Sequence, residues 1–264
     1  MVTLYEIPLS PYAQKVKLAL LEKGIEFTTV VPNIDAPDAE FLALNPRLQV
    51  PAFVDEDVRL FDSSVILEYI EDRWMQAPLL PVTAAERARV RLLEEICDTH
   101  YDAVNWAVAE IMVFKRAEGE LAGRMLAHAK QQIDELNARL ERELATRPWL
   151  NGDQCGYGDL VTYPFVNGAA SLGSKPPPNS RLSSWLYSMR ARPSAQRVKE
   201  DIVASMPVFA NRAKEVAEGV HRREYRDHRL EWMLRNDGLD IVLAGLQARN
   251  IRFSRDICEP CSQP

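Results

Sequence analysis

The chain has 264 residues, 32 of them basic and 38 acidic, and a net charge of −6, so nucleic acid is not an expected partner. With 47% hydrophobic residues it can fill a sizeable core in one or two domains. Nowhere do about eighteen apolar residues run together, which excludes an expected membrane span. Four cysteines, at 97, 155, 258 and 261, are too few and too scattered for a disulfide framework and fit a reducing compartment.

Val2 to Ile7 reads as a short apolar strand with no basic segment leading into an apolar one ahead of it, so a soluble, unexported protein is expected. A helix follows, with Ser10 at its N-cap, Pro11 at its first position and Gly24 at its end. Phe27 to Val31 is β-branched and strand-like. A polar stretch leads to Pro51, and Ala52 to Val54 then pairs with Val58 to Phe61 as a hairpin across Asp55-Glu56-Asp57. Ser64 to Trp74 reads as an amphipathic helix, giving a βαβ-ββα layer.

A proline-bearing linker, Ala77 to Val82, ends the strand signal. Thr83-Ala-Ala-Glu86 is a capping box that opens a helical region. Within it Leu121, Met125, Ala129, Ile133, Leu136, Leu140 and Leu144 recur at steps of three and four, the stripe of one long helix in a bundle. The expected organisation is an α/β domain at 1–76, a linker at 77–83, an all-helical domain at 84–214 and a charged helical extension at 215–264. Gly238 punctuates that extension, whose two short helices are expected to fold back on the bundle.

The candidate chemistry lies in the first domain. The Ser10 hydroxyl sits beside unpaired helix N–H groups and their partial positive charge, a place that attracts an anion. A cis Val50-Pro51 bond would expose the Val50 backbone to an extended peptide. Asp62-Ser63-Ser64 opens a helix whose amides and hydroxyls can hold a carboxylate while Asp62 holds an ammonium. Taken singly, Ser10 and Asp62-Ser63 also read as ordinary helix caps; together with Val50-Pro51 they describe a cradle for a zwitterionic peptide. Tyr5 sits within the strand pattern and reads as core, as do Cys97 and Cys155. Cys258-Glu-Pro-Cys261 lacks the two nearby ligands that zinc needs, so no metal is expected.

Residues 1 to about 205 resemble the glutathione transferase family. The resemblance rests on Asn45-Pro-Arg-Leu-Gln-Val-Pro51 with Leu60-Phe-Asp-Ser-Ser-Val-Ile-Leu-Glu-Tyr-Ile70, on Ser10-Pro-Tyr-Ala-Gln-Lys-Val16 with Glu22-Lys-Gly-Ile25, and on Leu150-Asn-Gly-Asp153, Gly158-Asp159, Trp185 and Arg192-Pro193. It implies a thioredoxin-like domain followed by a helical bundle, a cytoplasmic homodimer, and glutathione as co-substrate. It further implies that Ser10 donates to the glutathione sulfur, that Val50 beside Pro51 pairs with the cysteinyl backbone, that Asp62 and Ser63 hold the γ-glutamyl end, and that Gln49 or Arg47 reaches the glycyl carboxylate. Leu48, Asp62 and Gly156 depart from the family's usual glycine, glutamate and serine or threonine. The second substrate is expected to be a small apolar electrophile in a cleft near Leu9, Tyr12, Tyr101, Asn105 and Trp106. Conjugation is the leading reading; a glutathione-dependent lyase, isomerase or dehalogenase, or a non-catalytic interaction module of the same fold, are the alternatives.

Overall fold

The computed structural model describes residues 1–225, 227–248 and 250. The chain divides into two compact units, one spanning Met1–Lys214 and one beginning at Glu215.

The first unit opens with β1 (Val2–Tyr5), α1 (Pro11–Glu22), β2 (Phe27–Val30), α2 (Ala39–Leu44), β3 (Ala52–Asp55), β4 (Val58–Phe61) and α3 (Ser63–Arg73). The strands form one sheet in the order β2-β1-β3-β4. β1 pairs in parallel with β2, and antiparallel with β3, which pairs antiparallel with β4. The register sets Tyr5 opposite Ala52 and Ala52 opposite Phe61. Helix α2 occupies part of the stretch expected to be polar loop. The Asp38 side chain caps it by accepting from the Phe41 N–H at 2.7 Å, and Phe41 and Leu44, one turn apart, are buried against Tyr5 and Ala52.

The rest of the unit is helical, as expected: α4 (Ala84–Ile96), one π-helical turn (Cys97–Tyr101), α5 (Asp102–Met112), α6 (Gly119–Glu143), α7 (Tyr157–Ser171), α8 (Arg181–Arg190), α9 (Pro193–Phe209) and α10 (Arg212–Ala217), which runs across the boundary between the units. Thr83 caps α4 through the Glu86 N–H. The Glu86 carboxylate pairs with Arg89 and Arg147, so only half of the expected capping box forms. The stripe on α6 is buried from Ala129 to Leu144, but Leu121 and Met125 are exposed and Ala122 is buried instead. Steps of four overshoot the helical repeat by about 40° each, which carries Leu121 about 80° away from Ala129 around the axis and leaves Ala122 about 20° away.

Helix α1 packs against α3 on one side and against α7 and α9 on the other, so every residue from Ala13 to Leu20 is buried. Burial on both sides forces its lysines into ion pairs. Lys15 meets Glu94 and Asp98 at 2.6 Å each; Lys17 meets Glu6 at 2.5 Å and Asp201 at 2.6 Å. At the C-terminal end of α1, Glu22 accepts two hydrogen bonds from the Arg192 guanidinium, at 2.8 and 2.6 Å.

The second unit contains α11 (His228–Arg235) and α12 (Leu239–Ala248), which contact each other across the turn at Gly238. Asp227 caps α11 through the Leu230 N–H at 2.7 Å. The Cys258 and Cys261 pair lies outside the described residues.

Candidate functional site

The sheet register brings three segments to one end of the first unit. Tyr5 ends β1, Ala52 begins β3 and Phe61 ends β4, and these three residues lie side by side. The chain therefore leaves β1 toward Ser10, enters β3 from Pro51 and leaves β4 into Asp62 at the same edge. In α/β layers ligands gather where strands give way to helix N-termini.

Ser10 is the N-cap of α1, with φ −73° and ψ 118°. Its Oγ accepts the Ala13 N–H over 3.4 Å, a long bond, and its O–H has no acceptor among the described residues. The turn that carries it is held by Ser10 N–H to Ile7 O at 2.8 Å and by Gln14 Nε2 to Pro8 O at 2.8 Å. Leu9 beside it is 40% exposed. The Tyr12 hydroxyl donates to the Asp98 carbonyl at 2.7 Å, and its ring meets Phe165 edge-on.

The Val50-Pro51 peptide bond is cis. Asn45 shapes the approach to it: its Nδ2 donates to Gln49 O at 2.8 Å and its Oδ1 accepts the Arg47 N–H at 3.0 Å. Gln49 and Val50 are half-buried and Pro51 is buried. Leu48 has φ +55°, the left-handed region in which glycine is at ease, which accounts for the family's usual residue there. The exposed Arg47 guanidinium stacks over the Phe61 ring at 5.3 Å.

Asp62 is the N-cap of α3 and has φ +77°. One carboxylate oxygen, Oδ1, accepts the N–H groups of Ser64 and Val65 at 3.1 and 3.3 Å. Its other oxygen has no partner among the described residues, and the side chain is exposed. A non-glycine residue in this backbone region is costly, and such positions cluster at binding sites. Ser63, next to it, is 5% exposed.

Below these caps lies a buried polar network that sequence reasoning missed. Ser64 Oγ donates to Glu94 Oε1 at 2.8 Å, and Glu94 also accepts from Lys15 and from the Tyr157 hydroxyl. Burial raises Asp98 to about 6, against the attraction of Lys15. The network ties α1 and α3, which carry Ser10 and Asp62 at their starts, to α4 and α7. Two lysines within an otherwise apolar helix, Lys15 and Lys17, were the available signal.

The other candidates are taken up by packing and hydrogen bonds. Tyr5 is 8% exposed, stacks on Phe41 and donates to Glu40 at 3.1 Å. Tyr101 is buried and gives its hydroxyl to Asn137 at 2.7 Å. Burial pushes the thiols of Cys97 and Cys155 well above the ordinary range, so neither supplies a thiolate.

The start of α7 explains the third departure. The Gly156 N–H donates to Asp159 Oδ2 at 3.1 Å. Asn151 supplies the missing cap, its Oδ1 accepting the Gly158 N–H at 3.1 Å and its Nδ2 donating to Leu79 O at 3.1 Å. A Cβ on Gly156 would stand 2.3 Å from that Nδ2 and 2.5 Å from Leu79 O. Asp159 further accepts from the Leu150 and Asn151 N–H groups and from the Trp185 indole.

Residues 4–77 match the family model for the glutathione S-transferase N-terminal domain, and residues 109–193 match that for the glutathione S-transferase C-terminal domain. A stringent starvation protein A homolog of Coxiella burnetii is 30% identical over 187 residues, which is 70% of this chain and 84% of that protein. Glutathione S-transferase GstB of Escherichia coli K12 is 27% identical over 203 residues, 75% of this chain and 97% of that protein. Among solved structures, a glutathione S-transferase from Rhodospirillum rubrum F11 superposes with a TM-score of 0.67 at 27% identity, covering 75% of this chain and 91% of the other. FzlA from C. crescentus superposes at 0.66 and 26%, with the same coverage. Among the described residues no helix is long and apolar enough to cross a membrane.

Proposed function

Because the chain belongs to the glutathione S-transferase family, we propose that it binds glutathione at the sheet edge and that Ser10 activates the thiol for attack on a small apolar electrophile. The observation that carries this reading is the register that sets Ser10, Val50-Pro51 and Asp62-Ser63 at one end of the sheet. In it Val50 pairs with the cysteinyl backbone, the open Asp62 oxygen takes the γ-glutamyl ammonium, Ser63 takes the adjoining carboxylate, and Gln49 or Arg47 reaches the glycyl end. Residues 1–76 are the glutathione-binding domain, 84–214 supply the helical wall beyond the linker at 77–83, and the active form is a cytoplasmic homodimer.

The uncommitted Ser10 O–H donates to the sulfur, and the first turn of α1 adds its partial positive charge. A hydrogen bond to a charged group contributes about 1.5–3 kcal/mol and the helix terminus about 0.3–1 kcal/mol. Together these match the roughly 2.7 kcal/mol needed to lower a thiol by about two pKa units. The gain in thiolate at neutral pH is at most about thirtyfold, and reduced nucleophilicity offsets part of it. Orientation of the electrophile and stabilisation of its leaving group supply the larger share of the rate.

One second reading has support: a relative named stringent starvation protein A homolog accompanies relatives named transferases, and one fold hosts several functions. Calorimetric titration with glutathione separates the two. The transferase reading expects saturable binding that Asp62→Ala weakens by about tenfold or more; absence of binding by the wild-type chain leaves the interaction module.

A further inference from the structure

Between the end of β2 at Val30 and the start of β3 at Ala52, the chain passes through the six-residue α2. A helix that short is marginal by itself, so this stretch, which ends on the cis Val50-Pro51 bond, keeps its shape through side-chain contacts. Asn33 Oδ1 accepts the N–H groups of Asp35 and Ala36 at 3.2 and 3.1 Å, closing a turn around Ile34. Ile34, Leu48 and Val50 pack against the same buried cluster of Tyr5, Phe41, Leu44 and Ala52. Whatever fixes Ile34 therefore helps to fix Leu48 and Val50.

The three carboxylates of this stretch are used differently. Asp38 caps α2 through the Phe41 N–H, and Glu40 accepts from Tyr5, so both act within the sheet layer. Asp35 instead meets Arg212 at 3.0 Å, across 177 residues of sequence.

Arg212 opens α10 and lies within the first unit. Its guanidinium stacks on the ring of Phe209 at 5.6 Å, and Phe209 ends α9, which packs on α1. An aromatic face behind a planar guanidinium limits its freedom and leaves its N–H fork aimed at a carboxylate. The Arg212 and Asp35 side chains are 23% and 31% exposed, so solvent screens the pair only in part. The contact joins the helical part of the unit to the turn whose apolar residue shares a core with Val50.

We propose that Arg212 is a positioning residue for the glutathione segment: through Asp35 it ties the turn at 33–36 to the helical part and so holds Leu48 and Val50 in place for the cysteinyl backbone. The inference rests on the reading that glutathione binds at the sheet edge, and it assigns part of that affinity to a side chain distant in sequence from the edge. The test is calorimetric titration of glutathione into the full-length wild type, Arg212→Glu, Asp35→Arg and the double variant that restores the pair with its charges exchanged. Each single reversal should raise the Kd about threefold to tenfold, and the double variant should recover most of the loss. The bound-thiol pKa should not move in any variant, because Ser10 and the first turn of α1 are untouched. Hydrogen exchange without ligand should quicken at residues 33–44 in the single variants and return to wild-type rates in the double, with α4 and α6 unchanged. Wild type that binds no glutathione overturns the reading of the site. Wild type that binds it while Arg212→Glu binds equally well, a loss that the exchanged pair does not recover, or unaltered exchange at 33–44 overturns this inference alone.

Discussion

Replacing Gly156 with serine puts back the hydroxyl that the family resemblance leads one to expect at the start of α7. Capping preferences alone assign that change a gain of a few tenths of a kcal/mol. The structure predicts a loss. The new Cβ would lie 2.3 Å from Asn151 Nδ2 and 2.5 Å from Leu79 O. Asn151 must swing away, breaking its bonds to Leu79 O and from the Gly158 N–H, each contributing about 1 kcal/mol. Leu79 O cannot simply retreat, because it also accepts the Tyr157 N–H at 2.9 Å. Residual crowding adds about 1–3 kcal/mol. The sum is a destabilisation of about 3–5 kcal/mol, or about 6–20 °C in Tm at this chain length. Thermal unfolding followed by circular dichroism reads it directly. Asn151→Ala should cost less in the Gly156→Ser background than in wild type, since the two changes share the same bonds. A Gly156→Ser protein that melts at or above wild type would refute the argument.

Two further predictions concern pH. Asp98 titrates near 6 in the fold, above its unfolded value, so the stability lent by its protonated form is complete below about pH 4 and is lost as pH rises through about 6. Asp98→Asn, neutral throughout, should therefore gain on wild type by up to about 3 kcal/mol between pH 4 and 7; urea unfolding across that range checks it, and a constant difference would count against the assignment. Glu22 behaves oppositely. Burial works against its ionisation, but the Arg192 and Ser194 hydrogen bonds hold it below the usual carboxylate range, so its contribution is present above its unfolded value and lost as pH falls through the depressed one. Glu22→Gln should cost about 1–3 kcal/mol at pH 7, since both partners are partly shielded, and almost nothing near pH 2, as a pH series of unfolding midpoints would show.

The fold was legible where local chemistry and burial agreed. Ser10-Pro11 marked the start of α1, and the hairpin across residues 55–57 needed only its β-branched flanks and polar turn. Helix α2 was missed because six residues are too few to establish a period, although Asp38 with Phe41 and Leu44 three and six residues on carried its cap and its inward face. The α6 stripe was drawn too far toward the N-terminus because steps of four look periodic in sequence while drifting around the helix. At the candidate site, residue types and spacing gave the segments, but the register that sets them at one end of the sheet belongs to strand pairing over long separations. Of the buried Lys15 network only the two lysines in an apolar helix were visible, and their partners were not: the carboxylates lie some eighty residues away along the chain, and only packing on both sides of α1 makes such partners necessary. Gly156 stands out in sequence only as a departure from the family's usual serine or threonine; that its lack of a side chain makes room for Asn151 is visible only in the fold.

The central claim, that Ser10 activates a glutathione thiol held at the sheet edge, is tested most directly by titrating thiolate absorbance of bound glutathione against pH in wild type and Ser10→Ala. The account predicts a bound-thiol pKa about two units below that of free glutathione in wild type, rising most of the way back in the variant while glutathione still binds. Glutathione bound tightly with an unshifted pKa in wild type, or a shift equally large in Ser10→Ala, would contradict it.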